Sequence, residues 1–224
     1  MQRKITRRFV NGSPKVVLFM DFLLPEECEF VLKQPFDFER SKTAGVADKK
    51  SAVNDIRTSE SYYDDTGSLF FIKQRIRNLL AQIEPKYEQM PYENYEALQI
   101  QKYTKDQTYG YHYDCINLPN SKIKVKNDRI STFLVYLNDE FEGGETDFNF
   151  LGITIKPKKG MALFFEYWKD DLEKIKSKHA GLPVKDGEKW IITCWIREKE
   201  VKPDDWEKSE EELAFEEMGL TYIS

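Results

Sequence analysis

The chain is 224 residues long, 40% hydrophobic and 33% charged, enough apolar material to bury roughly 70% of its unfolded surface, which excludes a disordered chain. Its net charge of -5 is uneven: residues 199–224 hold nine acids against three lysines, a local -6 that leaves +1 for everything before them. A body so nearly neutral lacks the dense basic face of a duplex-binding protein, so no nucleic-acid partner is expected.

Read in chain order, Arg3, Lys4, Arg7 and Arg8 form a basic end that reads as a solvated terminus. The first apolar run, Val16 to Met20, is cut by Asp21 and is too short for a membrane span or a signal-peptide core. Cys28, Cys115 and Cys194 are far apart and lack C-x-x-C spacing, which argues against a disulfide scaffold or a cysteine zinc site. A cytoplasmic protein with no membrane partner is expected, and its oligomeric state is left open.

Pro25-Glu26-Glu27 ahead of Phe30 and Val31 predicts a helix start, with proline in the first turn and acids at the positive end of the dipole. Leu69, Ile72, Ile76, Leu79 and Ile83 recur at helical spacing, predicting a second helix from about 68 to 83, capped by Asp65 or Thr66 and ended by Pro85. Residues 41–66 between them are polar and without sustained period, and read as a long loop of the kind that serves as a lid.

From Ala97 the pattern turns to short β runs: 97–103, 109–114, 131–137, 146–150, 153–155, 162–165 and 190–196, separated by turn signals such as Gly143-Gly144 and Asp186-Gly187. A helical start followed by many short strands predicts a mostly β protein with supporting helices, an antiparallel sandwich or jelly roll. We expect one domain over 1–198, with helical support at 16–90 and the strand core at 95–198. The acidic tail, 199–224, is expected to be helical.

Only two histidines occur, His112 and His179. His112 and Asp114 flank one residue in a strand-like stretch, so a period of two sets both side chains on one face, where they could share a metal. Two histidines and one carboxylate make the facial triad of non-haem Fe(II) oxygenases. The pair alone reads more simply as a strand histidine with a surface aspartate for a neighbour.

Seven ordered motifs add context: D-I-R-T-S at 55–59, Y-E-A-L-Q-I-Q-K-Y at 95–103, Q-T-Y-G-Y-H-Y-D at 107–114, R-I-S-T-F-L-V-Y-L-N at 129–138, G-G-E-T-D-F at 143–148, K-P-K-K-G-M-A-L-F-F at 156–165 and H-A-G-L-P-V-K-D-G-E-K-W at 179–190. Through these, the sequence resembles the prolyl 4-hydroxylase branch of the 2-oxoglutarate- and Fe(II)-dependent dioxygenases. The resemblance implies a double-stranded β-helix (jelly-roll) core. It also implies Fe(II) on His112, Asp114 and His179, with O2 and 2-oxoglutarate as co-substrates and ascorbate as reductant. Lys189 matches the lysine that holds the far carboxylate of 2-oxoglutarate, Tyr103 and Thr146 match its hydroxyl donors, and Trp195 matches a pocket wall. Arg57, Tyr109, Arg129 and Arg197 match or lie near positions tied to a peptide substrate.

The implied activity is hydroxylation of a substrate carbon, C4 of peptidyl proline first, with release of succinate and CO2, and the implied partner is a proline-containing peptide or protein. Two other readings compete. One is the same chemistry on a free amino acid or a modified nucleobase; the other is a catalytically silent jelly roll that binds peptides.

Overall fold

The computed structural model describes residues 5–41, 56–119 and 124–202. In chain order it contains β1 (Thr6–Gly12), β2 (Lys15–Met20), α1 (Pro25–Leu32), β3 (Glu39–Arg40), β4 (Glu60–Asp64), α2 (Phe70–Leu80) and α3 (Pro85–Gln89). The β-rich part follows with β5 (Leu98–Tyr103), β6 (Tyr109–His112), β7 (Arg129–Tyr136), β8 (Phe141–Gly143), β9 (Thr146–Phe148), β10 (Ile153–Ile155) and β11 (Ala162–Glu166). Last come α4 (Asp171–Lys176), β12 (His179–Gly181), β13 (Val184–Gly187) and β14 (Lys189–Arg197). The acidic tail expected to be helical lies, from residue 203 on, outside the described residues.

Eight strands make the large sheet in the order β1-β2-β11-β7-β14-β5-β4-β3, and four make a small one, β10-β9-β12-β6. The pairings between these strands are antiparallel. The two stacked sheets are the jelly-roll core. One apolar cluster joins Phe19, Phe133, Val135, Phe164, Ile192 and Cys194 to Cys28 and Val31 of α1 and to Ile72, Ile76 and Leu80 of α2. The other joins Leu18, Leu134, Tyr136, Leu163, Phe165 and Ile191 to Phe148 and Ile155 of the small sheet. Neighbouring residues of one strand thus enter different cores, because successive side chains point to opposite faces. Helices cover one face and the small sheet the other, which is why these strands read as continuous apolar runs rather than alternating ones.

The helix starts follow from sequence with one correction. Glu27 accepts a hydrogen bond from the Leu24 amide at 2.8 Å and pairs with Arg75 of α2 at 2.6 Å, tying α1 to its neighbour. The turn into α2 is held by Asp64, not Asp65: its carboxylate accepts the amides of Ser68 and Leu69 at 3.1 and 2.7 Å, and Thr66, the other residue expected, accepts the Ser68 amide at 3.3 Å. Pro85 does stand beyond the end of α2, and it also opens α3.

The long loop expected at 41–66 is shorter than read. Residues 42–55 lie outside the described residues, and Glu60–Asp64 forms β4, paired with β5 from Glu60 opposite Lys102 to Asp64 opposite Leu98. Tyr62 and Tyr63 are therefore strand residues. Arg7 and Arg8, read as a solvated end, are exposed but belong to β1.

Among the described residues no helix is long and apolar enough to cross a membrane. Phe133 anchors the helix-side core, with ring centroids 4.9 Å from Phe22 and 5.8 Å from Phe19. Phe133→Ala should cost about 3–5 kcal/mol of stability, read from urea unfolding at fixed pH; a loss below 1 kcal/mol would contradict this packing.

Candidate iron and co-substrate site

The cleft between the two sheets takes its lining from alternate residues of three long strands. Gln101 and Tyr103 of β5, Thr132 and Leu134 of β7, and Lys189, Ile191, Thr193 and Trp195 of β14 face it. The small sheet closes it with Tyr109, His112, Thr146, His179 and Gly181, and Asp114 follows β6 into the same space.

His112 and His179 are direct cross-strand partners on β6 and β12. Asp114 lies between them, its Oδ1 3.5 Å from His112 Nε2 and its Oδ2 3.6 Å from His179 Nε2. One ligand atom from each of the three falls within 4.8 Å of the others. Gly110 O lies 2.8 Å from His112 Nδ1 and Ser177 O lies 3.0 Å from His179 Nδ1. A carbonyl only accepts, so each Nδ1 carries the hydrogen and each Nε2 keeps its lone pair for a metal.

The local electrostatics agree. Burial, then the charge of His112, lowers the His179 pKa to about 4 against the pull of Asp114, so the imidazole is neutral and ligating at neutral pH. Burial alone would raise the pKa of Asp114, but His179, His112 and Arg129 outweigh it and hold the carboxyl well below the usual carboxylate range. Thr132 Oγ1 donates to Asp114 Oδ2 at 2.6 Å and fixes the carboxylate plane. These three groups fit a divalent iron with room for further ligands.

At the other end of the cleft stands Lys189, 2% exposed. Its Nζ lies 5.2 Å from the Tyr103 ring centre and 5.9 Å from that of Tyr136. Among the described residues no carboxylate is within ion-pair reach of it, and burial lowers its pKa to about 8, opposed only by the more distant Glu145. A buried ammonium without a counter-charge is costly unless an anion joins it. Thr146 receives the Tyr136 hydroxyl hydrogen at 2.8 Å, which leaves the Thr146 hydrogen available to such an anion. The indole nitrogen of Trp195 is also buried without a partner. The donor set fits one carboxylate of a dicarboxylate, with the triad at the opposite end.

The G-G-E-T turn keeps this space open. Gly143 and Gly144 have φ of +73° and +67°; a Cβ on Gly143 would lie 2.4 Å from Pro183 O, and one on Gly144 3.0 Å from Lys189 Cδ.

The residues assigned to substrate separate into two groups. Arg57 is buried, its guanidinium 4.8 Å above the Tyr109 ring, and it donates to Gln99 Oε1 at 2.8 Å. Tyr109 in turn stacks on the His112 imidazole at 3.4 Å. Both therefore stand beside the iron ligands, and an isolated antiparallel bridge pairs Arg57 with Tyr109 of β6. Arg129 and Arg197 do not line the cleft. Both bind Glu96 at 2.7 Å, and Arg129 lies 3.9 Å over the Trp195 ring. Arg197 is fully buried, so the substrate contact expected of it gives way to an internal ion pair.

Sequence reading missed Thr132, Gln101, Thr193 and Tyr136. For Gln101 the signal was the alternation of L-Q-I-Q-K-Y, which marks a wet face inside a buried strand; Thr132, Tyr136 and Thr193 sit in largely apolar runs that carry no such mark. Cys115 is buried in the cleft-side cluster.

His179→Ala removes one of three ligand atoms and should weaken Mn(II) binding by about 100-fold or more, with the far-UV circular dichroism unchanged. Undiminished Mn(II) affinity, measured by electron paramagnetic resonance, would overturn the assignment.

Three comparisons bear on this geometry. Residues 98–197 match the model of the 2OG-Fe(II) oxygenase superfamily. The chain is 33% identical over 209 residues to prolyl 4-hydroxylase 1 of Arabidopsis thaliana, an alignment covering 85% of this chain and 71% of that protein. Prolyl 4-hydroxylase 2 of the same plant is 31% identical over 215 residues, 84% of this chain and 68% of that one. Among solved structures, the viral collagen prolyl hydroxylase vCPH from Paramecium Bursaria Chlorella virus-1, as its 2OG complex, superposes with a TM-score of 0.60 at 31% identity. That match covers 81% of this chain and 95% of the viral one. At this identity over most of both chains, and with the oxygenase model matched across the strand core, the chain belongs to the prolyl 4-hydroxylase family of 2-oxoglutarate- and Fe(II)-dependent oxygenases.

Proposed function

We propose that this enzyme hydroxylates C4 of proline within a peptide, using Fe(II), O2 and 2-oxoglutarate and releasing succinate and CO2. The observation that carries the reading is the pairing, in one cleft, of an empty-handed cation, Lys189, with a three-ligand metal site. When bound, iron and 2-oxoglutarate supply the oxidising chemistry, decarboxylation of the 2-oxo acid accompanying transfer of one oxygen atom to the substrate carbon.

The protein's part is placement. Lys189, with Thr146 beside it, holds the far carboxylate so that the 2-oxo end reaches the triad. Leu134, Ile191 and Trp195 provide an apolar wall that keeps water from the reacting carbon. Arg57 and Tyr109 supply a cationic and aromatic rim suited to an extended proline-containing chain. Arg129, held by Glu96 against Trp195, serves that rim from behind. We read residues 1–198 as one catalytic unit acting in a reducing, cytoplasmic compartment, a reading supported by the three buried free thiols.

The Lys189 pKa fixes a pH dependence. Because the folded value, about 8, lies below the ordinary 10.5, the unfolded chain holds a proton between these limits that the ligand-free fold lacks. Stability of the ligand-free protein therefore rises with pH across that window. The dicarboxylate needs the ammonium, so its affinity should fall as pH rises through about 8. Lys189→Met should abolish that slope, weaken 2-oxoglutarate binding by roughly 100-fold or more and raise the melting temperature of the ligand-free protein at pH 7. Calorimetry on Mn(II)-loaded protein under argon and thermal scanning check all three; a variant that is less stable and binds as before would refute the role.

Substrate class is tested by mass spectrometry of proline-rich peptides, which should gain one oxygen on proline with stoichiometric succinate. Arg57→Ala should raise the peptide KM about tenfold, the value of one charged contact. Succinate release stimulated by a free amino acid or a nucleoside, but by no peptide, would replace this reading with the competing one.

A further inference from the structure

Gln101 is flanked inside the cleft by two hydroxyls. The Tyr103 hydroxyl donates to Gln101 Oε1 at 2.7 Å, and Gln101 Nε2 donates to Thr193 Oγ1 at 2.8 Å. All three residues line the cleft, and Tyr103 is the cross-strand partner of Lys189. In this arrangement the single hydrogen of Tyr103 is spent on Gln101, and none is left for a carboxylate on Lys189.

A hydroxyl both donates and accepts, whereas an amide has a donor end and an acceptor end. If the Gln101 amide turns by half a revolution, Nε2 donates to Tyr103 and Thr193 donates to Oε1. Both hydrogen bonds survive with their directions reversed, and the Tyr103 hydrogen is released towards the cleft. A buried glutamine between two hydroxyls is therefore a two-position relay whose end states keep the same number of hydrogen bonds. An anion beside Lys189 favours the state in which Tyr103 donates to it, since hydrogen bonds to charged groups are the stronger ones.

Resting on the reading that this cleft takes 2-oxoglutarate, we propose that Gln101 is a positioning residue whose amide reversal switches the Tyr103 hydroxyl from an internal donor into a donor to the co-substrate carboxylate. It touches neither iron nor substrate; it acts through Tyr103.

The test is the affinity of Mn(II)-loaded protein for 2-oxoglutarate and for pyruvate, which lacks the distal carboxylate, by calorimetry without oxygen. Gln101→Glu presents two acceptors and no donor, so it holds the Tyr103 hydrogen permanently. It should weaken 2-oxoglutarate binding about 10- to 100-fold, the worth of one charge-assisted hydrogen bond, and leave pyruvate unchanged. Gln101→Met, of similar volume and without polar ends, frees the Tyr103 hydrogen and should bind 2-oxoglutarate within about threefold of the parent. This variant keeps the test open if the glutamate variant folds poorly. Tyr103→Phe should cost what Gln101→Glu costs, and the double variant Gln101→Glu/Tyr103→Phe should cost no more than Tyr103→Phe alone.

An unchanged 2-oxoglutarate affinity in Gln101→Glu overturns the relay. So does a full additional loss in the double variant, which would show a direct electrostatic effect on Lys189 instead. A loss in Gln101→Met as large as in Gln101→Glu also overturns it. Failure of the parent protein to bind 2-oxoglutarate at all would instead sink the functional reading on which the relay rests.

Discussion

Strict two-residue alternation along β5, β7 and β14 is the constraint on which the rest of the molecule depends. On β14, Ile192, Cys194 and Ile196 enter the core under the helices, while Lys189, Ile191, Thr193 and Trp195 enter the cleft. The same parity divides Phe133 and Val135 from Thr132 and Leu134 on β7. Stability and chemistry are therefore carried by the same three strands, on opposite faces. Strand register, fixed by the pairing of β14 with both β5 and β7, decides which residues serve which purpose.

The cleft face is costly to keep. It buries an ammonium that no carboxylate meets among the described residues, together with two imidazoles and a carboxylate crowded around a metal position. The opposite face offsets that cost with a dense aromatic cluster around Phe133 and the two helices clamped by Glu27 and Arg75. Among the described residues, charged groups buried away from the cleft are, by contrast, paired, as where Glu96 gathers Arg129 and Arg197. Lys189, the buried charge left without a counter-charge among the described residues, stands where a ligand would complete it, which is the expected distribution for a functional site.

Much of this was legible in the sequence, for identifiable reasons. The β runs from Leu98 onward stand out because β-branched and aromatic residues are punctuated by glycine and asparagine turns, and the iron ligands stand out because only two histidines exist. What was hidden depended on partners distant in sequence. β4 reads as loop because its residues E-S-Y-Y-D are polar, and only pairing with β5 makes them a strand. By resemblance Arg197 matches or lies near a substrate position, yet Glu96, 101 residues earlier, takes it into the interior. Thr132 acts on Asp114 across a turn that no local pattern reports.

His112 and His179 lie directly opposite each other on adjacent strands of the small sheet, and their pairing is interrupted by a register shift. A metal gripped by both imidazoles would thus be a rivet between β6 and β12, at the point where the backbone ladder is weakest. The small sheet has four short strands and none of the helical cover that braces the large one, so its opening is among the least costly local excursions of the fold. Loss of the ion would consequently remove a tie across that point of the ladder. The metal would therefore brace the sheet that supplies two of its own ligands, while the large sheet is braced independently by the core under the helices.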